Sequence, residues 1–356
     1  MNMERKTITD DEFELYSRQI VLNIIGFEGQ EKLKNSRVAI VGLGGLGSPI
    51  AVTLTAMGVG YIRIIDRDIV EKSNLHRQHL YTFKDIGYPK VEVASRRLRE
   101  MNPYIEIDPY PVYINDSTAL EAIKEVDVVL DGLDNFKARR AINKACYKLS
   151  IPYVYASAIE TYGMVSTLIP GEGPCLECIF PNTSDQNLPT CSTVGVHPSI
   201  LQVISSIEVY EAVNLLTKRK PRLFGKLLIY DLEELSSNLL EVKKSVNCPI
   251  CGGGKIIEEE KIEYPEIEEV CSREGKITYI INPGQVIPVE IKSLSQKLYS
   301  EGYEVSRTSD FSLTFKVDGN GTFSLLKTGI GIVEGLSSKE YALKIYELIL
   351  RKILNH

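Results

Sequence analysis

Residues 37–41, Arg-Val-Ala-Ile-Val, form a short run rich in β-branched residues that stops at a glycine cluster, Gly42, Gly44, Gly45 and Gly47. Residues 48–57 then read as a helix. A G-x-G-x-x-G turn between a strand and a helix constrains the fold more than any other feature of this chain. The same alternation continues downstream. Residues 61–65 form a strand ending at Asp66, residues 89–101 are helical and 105–113 extended, and 119–125 are helical before a strand at 126–130. Strand–helix alternation of this kind predicts an α/β fold with a Rossmann-like, parallel, doubly wound sheet. Ligands of such sheets sit at the carboxyl ends of the strands.

The glycines let a phosphate approach the backbone, and the helix N-terminus supplies amide donors and a partial positive charge. Asp66 stands where a carboxylate can accept hydrogen bonds from ribose hydroxyls. Taken alone, the glycine turn would suggest NAD and hydride transfer. The residues that follow point elsewhere. Asn74-Leu-His-Arg-Gln78 comes soon after Asp66, Lys90 lies beyond it, and Asp131-Gly-Leu-Asp134-Asn135 caps the third strand run. Arg77 and Lys90 are cations suited to a triphosphate, and Asp134 is a carboxylate suited to Mg²⁺, which prefers hard oxygen ligands and substrate phosphates. Each has a plainer reading as well: a turn cap for Asp66, a surface ion pair for Arg77, a solvated helix charge for Lys90, a helix cap for Asp134.

The ordered set of motifs resembles the ubiquitin-activating-enzyme-like superfamily, specifically the MoeB/ThiF-type adenylyltransferases. The matching segments are Tyr16-Ser-Arg-Gln-Ile20, Val41-Gly-Leu-Gly-Gly-Leu-Gly47, Asp66, Ser73-Asn-Leu-His-Arg-Gln78, Pro89-Lys90 and Asp131-Gly-Leu-Asp-Asn135, within a resemblance running from about Tyr16 to Cys251. It implies that Gly45, Asp66, Asn74, Arg77, Lys90, Asp134 and Asn135 contact ATP or its magnesium. The candidate nucleotide site also takes in Gly42, Gly44, Gly47, Asp68, Ser73 and Gln78. Arg18, which the sequence alone reads as a charge on an amphipathic N-terminal helix, is implied to reach the triphosphate of a neighbouring subunit in a homodimer. The implied activity is adenylation of the C-terminal Gly-Gly carboxylate of a ubiquitin-like or sulfur-carrier protein, with Asp134, Arg77 and Lys90 as its catalytic groups.

Cys175-Leu-Glu-Cys178 and Cys248-Pro-Ile-Cys251 are two C-x-x-C pairs. Four thiolates suit a closed tetrahedral Zn²⁺ site, and the resembled family carries one at matching positions; two separate redox pairs are the other reading. Cys191 lies between a polar loop and the helical run at 198–216. A thiolate near a helix N-terminus has a lowered pKa, and the resemblance implies a thioester or sulfur-transfer role for it, against a plain structural thiol. Cys146 reads as a core thiol, and Cys271 has no partner by spacing.

With 356 residues, two domains are the natural expectation. Residues 1–254 form the adenylation unit, 255–275 an acidic linker and 276–356 a small α+β domain. In the last, a strand at 277–281, a helix at 289–298, extended runs at 311–317 and 322–333 turning at 318–321, and a closing helix at 338–354 are expected. No cysteine follows Cys271, so this tail cannot be a working rhodanese, a domain some family members carry there; a docking surface is one reading. A net charge of −6 argues against a nucleic-acid partner. The absence of a long uncharged apolar run and of a signal-peptide core leads us to expect no membrane span and a cytoplasmic protein. The rival readings are activation of a small or tRNA-linked carboxylate, an NAD-dependent oxidoreductase, and a non-catalytic binding subunit. The joint presence of Arg77, Lys90 and Asp134 speaks against the last two.

Overall fold

The computed structural model describes residues 6–183, 185, 193–253, 264–271, 277–317, 321–336 and 338–354. Three short helices lead in: α1 (Asp10–Leu15), α2 (Ser17–Ile20) and α3 (Gly26–Lys34). Thr9 and Glu12 cap the first by bonding each other's backbone amides. The alternating unit follows as β1 (Arg37–Val41), α4 (Gly47–Ala56), β2 (Tyr61–Ile65), α5 (Lys90–Met101), β3 (Glu106–Tyr110), α6 (Ala119–Ile123), β4 (Val128–Asp131) and α7 (Phe136–Leu149). Then come β5 (Tyr153–Ile159), β6 (Tyr162–Leu168), α8 (Leu176–Ile179), α9 (Pro198–Leu216), β7 (Lys226–Asp231) and β8 (Ser236–Glu241).

These strands form one eight-stranded sheet in the order β3-β2-β1-β4-β5-β6-β7-β8. Its first five strands are parallel, as the alternation predicts. The remainder runs antiparallel from β5 to β8, so beyond the alternating run the sheet is mixed. The physical reason is the connection: β5 and β6 are joined by a two-residue turn, which permits only an antiparallel partner. Side chains of β1 alternate between the two faces, Val38 and Ile40 entering one core and Ala39 and Val41 the other. The chain turns from β1 toward β2 on one side and toward β4 on the other. In register, Val41 faces both Ile65 and Asp131. Gly42, Asp66 and Gly132 therefore emerge side by side at the carboxyl edge, at the topological switch point.

Helix α9 is long and apolar enough to cross a membrane by length and composition, but it carries Glu208 and Glu211 and most of it is buried in the fold. Here it crosses the sheet, with Ile200, Leu201 and Ile204 in the core. Two buried acids fix it. Glu208 accepts the Asp131 amide at 2.6 Å, and Glu211 accepts the Thr167 hydroxyl at 2.7 Å and the Leu223 amide at 2.8 Å.

The second sheet is antiparallel throughout, in the order β11-β12-β13-β14-β10-β9. Its elements are β9 (Glu266–Cys271), β10 (Ile277–Asn282), α10 (Ile291–Ser300), β11 (Val305–Thr308), β12 (Ser312–Lys316), β13 (Thr322–Leu326), β14 (Gly331–Glu334) and α11 (Lys339–Leu354). One face carries Phe315, Phe323 and Val333 against Leu294, Leu298, Tyr346 and Ile349 of α10 and α11. The other face lays Ile280, Leu326, Ile330 and Ile332 on Ile69 and Tyr113 of the first unit. The run at 322–333, expected as one extended segment, is a hairpin, because Gly329 takes a φ of +88° that lets the chain reverse. The turn expected at 318–321 lies mostly outside the described residues.

Part of the stretch read as an acidic linker is strand. Residues 254–263 and 272–276 lie outside the described residues, but Glu266–Cys271 pairs along its length with β10. The acids there are not a solvated charge run. Glu266 and Glu268 share one face and meet Lys137 and Arg67, while Ile267 packs into the domain's own core.

Candidate functional site

The glycine turn separates into residues the fold requires and one it does not. Gly42 has a φ of +90°, and its amide donates to Ile65 at 2.7 Å. A Cβ on Gly42 would lie 2.4 Å from the Gly132 carbonyl oxygen, and one on Gly47 would lie 1.8 Å from that of Gly42. These glycines let the β1 and β4 turns touch backbone to backbone. Gly45 packs under α9, where a Cβ would meet the Leu201 side chain at 2.6 Å. Gly44 differs: the nearest atoms to its Cβ position are Gln78 Nε2 at 3.7 Å and the Gly132 oxygen at 4.0 Å. The described chain leaves room there, so a glycine at this position keeps space open for something the protein does not supply. Helix α4 begins three residues on and has no side-chain cap. Its first amides and its dipole suit a phosphate.

Behind the turn sits a buried charge cluster. Asp66 accepts the Leu43 amide at 2.6 Å through one oxygen and the Asp68 amide at 2.7 Å through the other. It thus braces the glycine turn, and each oxygen keeps a second lone pair for a hydroxyl donor. Lys90, 5% exposed, opens α5 and donates to Asp68 at 2.8 Å. Burial opposes its charge, yet Asp66, Asp68 and more weakly Asp134 hold its pKa above the usual lysine value. Burial pushes the Asp66 carboxyl up, against the pull of Lys90. For Asp68 the burial effect is outweighed by Lys90 and Arg67, which hold it low. The cluster keeps a full positive charge on Lys90 at the rim.

The 73–78 segment lies over the same edge. Asn74 is buried and accepts the Glu71 amide at 3.0 Å, while Ser73 donates to Glu71 at 3.1 Å. Arg77 is half-buried and donates to the Ser73 carbonyl at 2.8 Å. Gln78 is buried beside Gly44, and its side-chain Oε1 has no hydrogen-bond partner among the described residues. An orphaned buried polar atom next to an open glycine fits a ligand that supplies the missing partner.

Across the edge, Asn135 caps α7 by accepting the Ala138 amide at 2.8 Å. Asp185 completes the cap, taking the amides of Phe136 at 2.6 Å and Lys137 at 2.9 Å. Asp134 takes no part in the cap. It is exposed and accepts only from Asn135 Nδ2 at 3.0 Å among the described residues. An exposed carboxylate unclaimed by the helix fits Mg²⁺, which commonly takes one or two carboxylates together with substrate phosphates. Two supports had escaped the sequence reading. One is Asp185, solitary in a polar loop. The other is buried Arg139, whose Nε donates to Asp131 at 3.0 Å and whose guanidinium holds the Leu133 and Ala156 carbonyls at 2.6 and 3.0 Å. The only sequence signal for Arg139 is a charge on the apolar face of α7. Arg18, on α2, is exposed and far in sequence from the turn.

The two C-x-x-C pairs meet. Cys175, Cys178, Cys248 and Cys251 hold their sulfurs within 4.8 Å of one another. Cys175 lies 3.5 Å from Cys248 and Cys178 lies 3.3 Å from Cys251. Tetrahedral thiolates at the usual Zn–S length stand about 3.8 Å apart, so the cluster fits zinc with small outward shifts. Burial and the neighbouring sulfurs push the Cys175 thiol up to about 11. Cys146 is a core thiol, 1% exposed, with its ionisation disfavoured by burial. Cys191 lies outside the described residues.

Comparison with known proteins gives these features a lineage. The sulfur carrier protein adenylyltransferase of Thermus thermophilus is 40% identical over 250 residues, covering 68% of this chain and 92% of the relative. The SAMP-activating enzyme E1 of Haloferax volcanii is 37% identical over 252 residues, covering 70% and 93%. The crystal structure of Escherichia coli MccB with AMPCPP and MccA superposes with a TM-score of 0.61 at 27% identity, covering 67% of this chain and 74% of that one. The ThiF family pattern matches residues 16–250, the span that holds the glycine turn, the charge cluster and Cys175, Cys178 and Cys248, with Cys251 just beyond it, and this chain belongs to the ThiF family.

Proposed function

We propose that the protein uses ATP to adenylate the C-terminal carboxylate of a ubiquitin-like or sulfur-carrier protein ending in Gly-Gly. The observation that carries this reading is the convergence of open Gly44, charged Lys90 and uncapped Asp134 on one edge of the sheet. The named substrates of the relatives agree with it. A free carboxylate is a poor acyl donor because oxide would have to leave. Its oxygen attacks the α-phosphorus of ATP, the bond to the β-phosphate oxygen breaks, and pyrophosphate departs with that electron pair. The acyl group then has AMP as its leaving group. No side-chain base is needed, since the carboxylate is ionised near neutral pH. The chain's work is positioning and charge stabilisation. The glycine turn and α4 cradle phosphate, Asp66 receives ribose hydroxyls, and Lys90 and Arg77 offset developing charge. Asp134 would hold Mg²⁺, which supplies charge neutralisation at the transferring phosphate when bound. The four cysteines would hold zinc as a structural tie.

Two finer points belong to the same reading. Arg18 reaches the triphosphate site of a second copy in a homodimer. Support comes from its surroundings, where Phe13, Leu15, Val21, Leu22 and Phe27 are all more than 45% exposed on α1–α3 and the turn between them. An apolar surface of that density marks an interface. Cys191 takes over the acyl group as a thioester, or carries sulfur, after adenylation. The test is ATP–pyrophosphate exchange with candidate Gly-Gly proteins. Exchange that depends on the intact Gly-Gly terminus is expected, and NAD binding without ATP binding would reject the reading. Cys191→Ala should keep exchange and stop onward transfer.

A further inference from the structure

The C-terminal domain has no motif of its own, yet it docks on the strip that carries the charge cluster. Ile69 plugs into its sheet beside Ile280, Leu326, Ile330 and Ile332. Two residues earlier the contact is ionic. Arg67 NH1 donates to Glu268 of β9 at 2.7 Å, and Arg67 Nε lies 3.7 Å from Asp68 Oδ1. The other oxygen of Asp68 accepts from Lys90 Nζ at 2.8 Å. Asp68 is thus a bridging carboxylate, with one oxygen turned to Arg67 and one to Lys90. The Arg67 guanidinium itself lies over the Tyr113 ring, its Cζ 4.5 Å from the ring centre. A second contact repeats the pattern across the edge, where Glu266 of the same strand pairs with Lys137 in the first turn of α7. Strand alternation explains the pair: residues two apart share a face.

We propose that Glu268 is a positioning residue for ATP, acting from the C-terminal domain through Arg67 and Asp68 on the Lys90 ammonium. The role rests on the adenylation reading above and assigns the extra domain a part in it. Without Glu268, Arg67 turns fully toward Asp68. Both Asp68 oxygens are then drawn to the guanidinium, and Lys90 loses the anchor that aims it along the cleft. Lys90 cannot be replaced by solvent in this task, since its side chain is only 6% exposed. Removing Glu268 leaves Arg67, 18% exposed, with Asp68 at 3.7 Å as its counter-charge and the Tyr113 ring beneath it, so no buried charge is left unpaired and the fold should persist.

The experiment compares wild-type full-length protein with Glu268→Gln in ATP–pyrophosphate exchange, alongside thermal melting. Glu268→Gln should raise the KM for ATP about three- to tenfold, the range of a coupled charge network, with kcat held within about twofold and an unchanged Tm. An unchanged KM overturns the proposal, and so does a fall in kcat that tracks a fall in Tm, which would make the contact a domain fastener. The charge-swapped double variant Arg67→Glu with Glu268→Arg separates the two further. It re-forms the inter-domain pair but sets a carboxylate beside Asp68. The KM should stay raised, and a KM restored to the wild-type value overturns the proposal. Wild-type protein that binds ATP by calorimetry but exchanges with no Gly-Gly carrier overturns the adenylation reading, and the proposal with it; wild-type exchange with an unmoved Glu268→Gln overturns the proposal alone.

Discussion

The glycine turn and the C-terminal sheet are both tightly folded, and both are rich in polar residues, but they treat those residues differently. In the C-terminal sheet many polar side chains are paired, within the sheet or with the first unit, while Thr278 Oγ1, Asn282 Nδ2 and Glu266 Oε2 lack a partner among the described residues. Thr314 and Ser324 pair across neighbouring strands at 2.9 Å, Ser309 bonds Glu92 of the first unit at 2.6 Å, and Thr328 bonds the Pro111 carbonyl. At the glycine turn several are left over: a Cβ at Gly44 would meet nothing nearer than 3.7 Å, Gln78 Oε1 has no partner among the described residues, and Asp134 is not needed by the helix it precedes. The contrast teaches where to look for chemistry. A residue that the fold already explains is weak evidence for a site, and a residue that the fold does not use is stronger evidence.

That contrast can be broken most sharply at Asp134. Asp134→Ala should lower pyrophosphate exchange by about a thousandfold or more, as loss of a metal anchor does, with Tm unchanged because Asn135 and Asp185 still cap α7. A variant with near wild-type exchange would place Asp134 among the explained residues after all. The glycines sharpen the comparison within one loop. Gly47→Ala should destabilise the fold by about 3 kcal/mol or more, since its Cβ would collide with backbone. Gly44→Ala should change stability by less than about 1 kcal/mol while weakening ATP binding about tenfold or more. Denaturant titration with calorimetry on both variants decides it; a Gly44→Ala protein that binds ATP normally would remove the ligand argument.

Two smaller effects probe residues that the fold does explain. Metal analysis should find one zinc per chain, and Cys248→Ser should lose it and lower the Tm by several degrees, an effect on the order of 2–4 kcal/mol for a cross-link of this span. Full stability without zinc would return the cysteines to redox pairs. The smallest effect concerns Glu208. Burial, with the nearby Asp131 carboxylate adding to it, raises its pKa well above the ordinary 4.5. The native state therefore holds a proton that the unfolded chain releases. The stability due to Glu208 is fully present below the unfolded value and is lost as pH rises through the native one. Glu208→Gln should flatten that decline in melts taken from pH 5 to pH 8. An identical slope in the variant would assign the pH dependence to other groups.

Much of the first unit was legible in the sequence because its signals are local. A strand, a glycine turn and a helix follow within residues 37–57, and the register of three parallel strands carries Gly42, Asp66 and Gly132 to one edge without further information. The cysteine pairs were legible because thiol chemistry demands company. What was missed depends on distant contacts. Strand β8 is exposed at all six residues and shows no apolar alternation, so only its pairing with β7 identifies it. The acids of β9 look like a solvated run until Arg67 and Lys137 are brought opposite them. Asp185 caps a helix that begins 49 residues before it, a distance at which no spacing rule operates. Cys191 lies outside the described residues, and its role stands on the resemblance alone.

The four-cysteine cluster joins points 73 residues apart in the chain. Everything between them is a closed ring, and that ring contains α9, β7, β8 and the segment bearing Cys191. Closing a ring of this size removes about 4 kcal/mol of chain freedom from the unfolded state on the polymer estimate. The ring also confines its contents: no residue inside it can travel farther from the cluster than half the ring's contour allows, even when the sheet opens locally. Zinc held by these cysteines would fasten the two ends of that ring, and stripping it would release them before it unfolds the sheet.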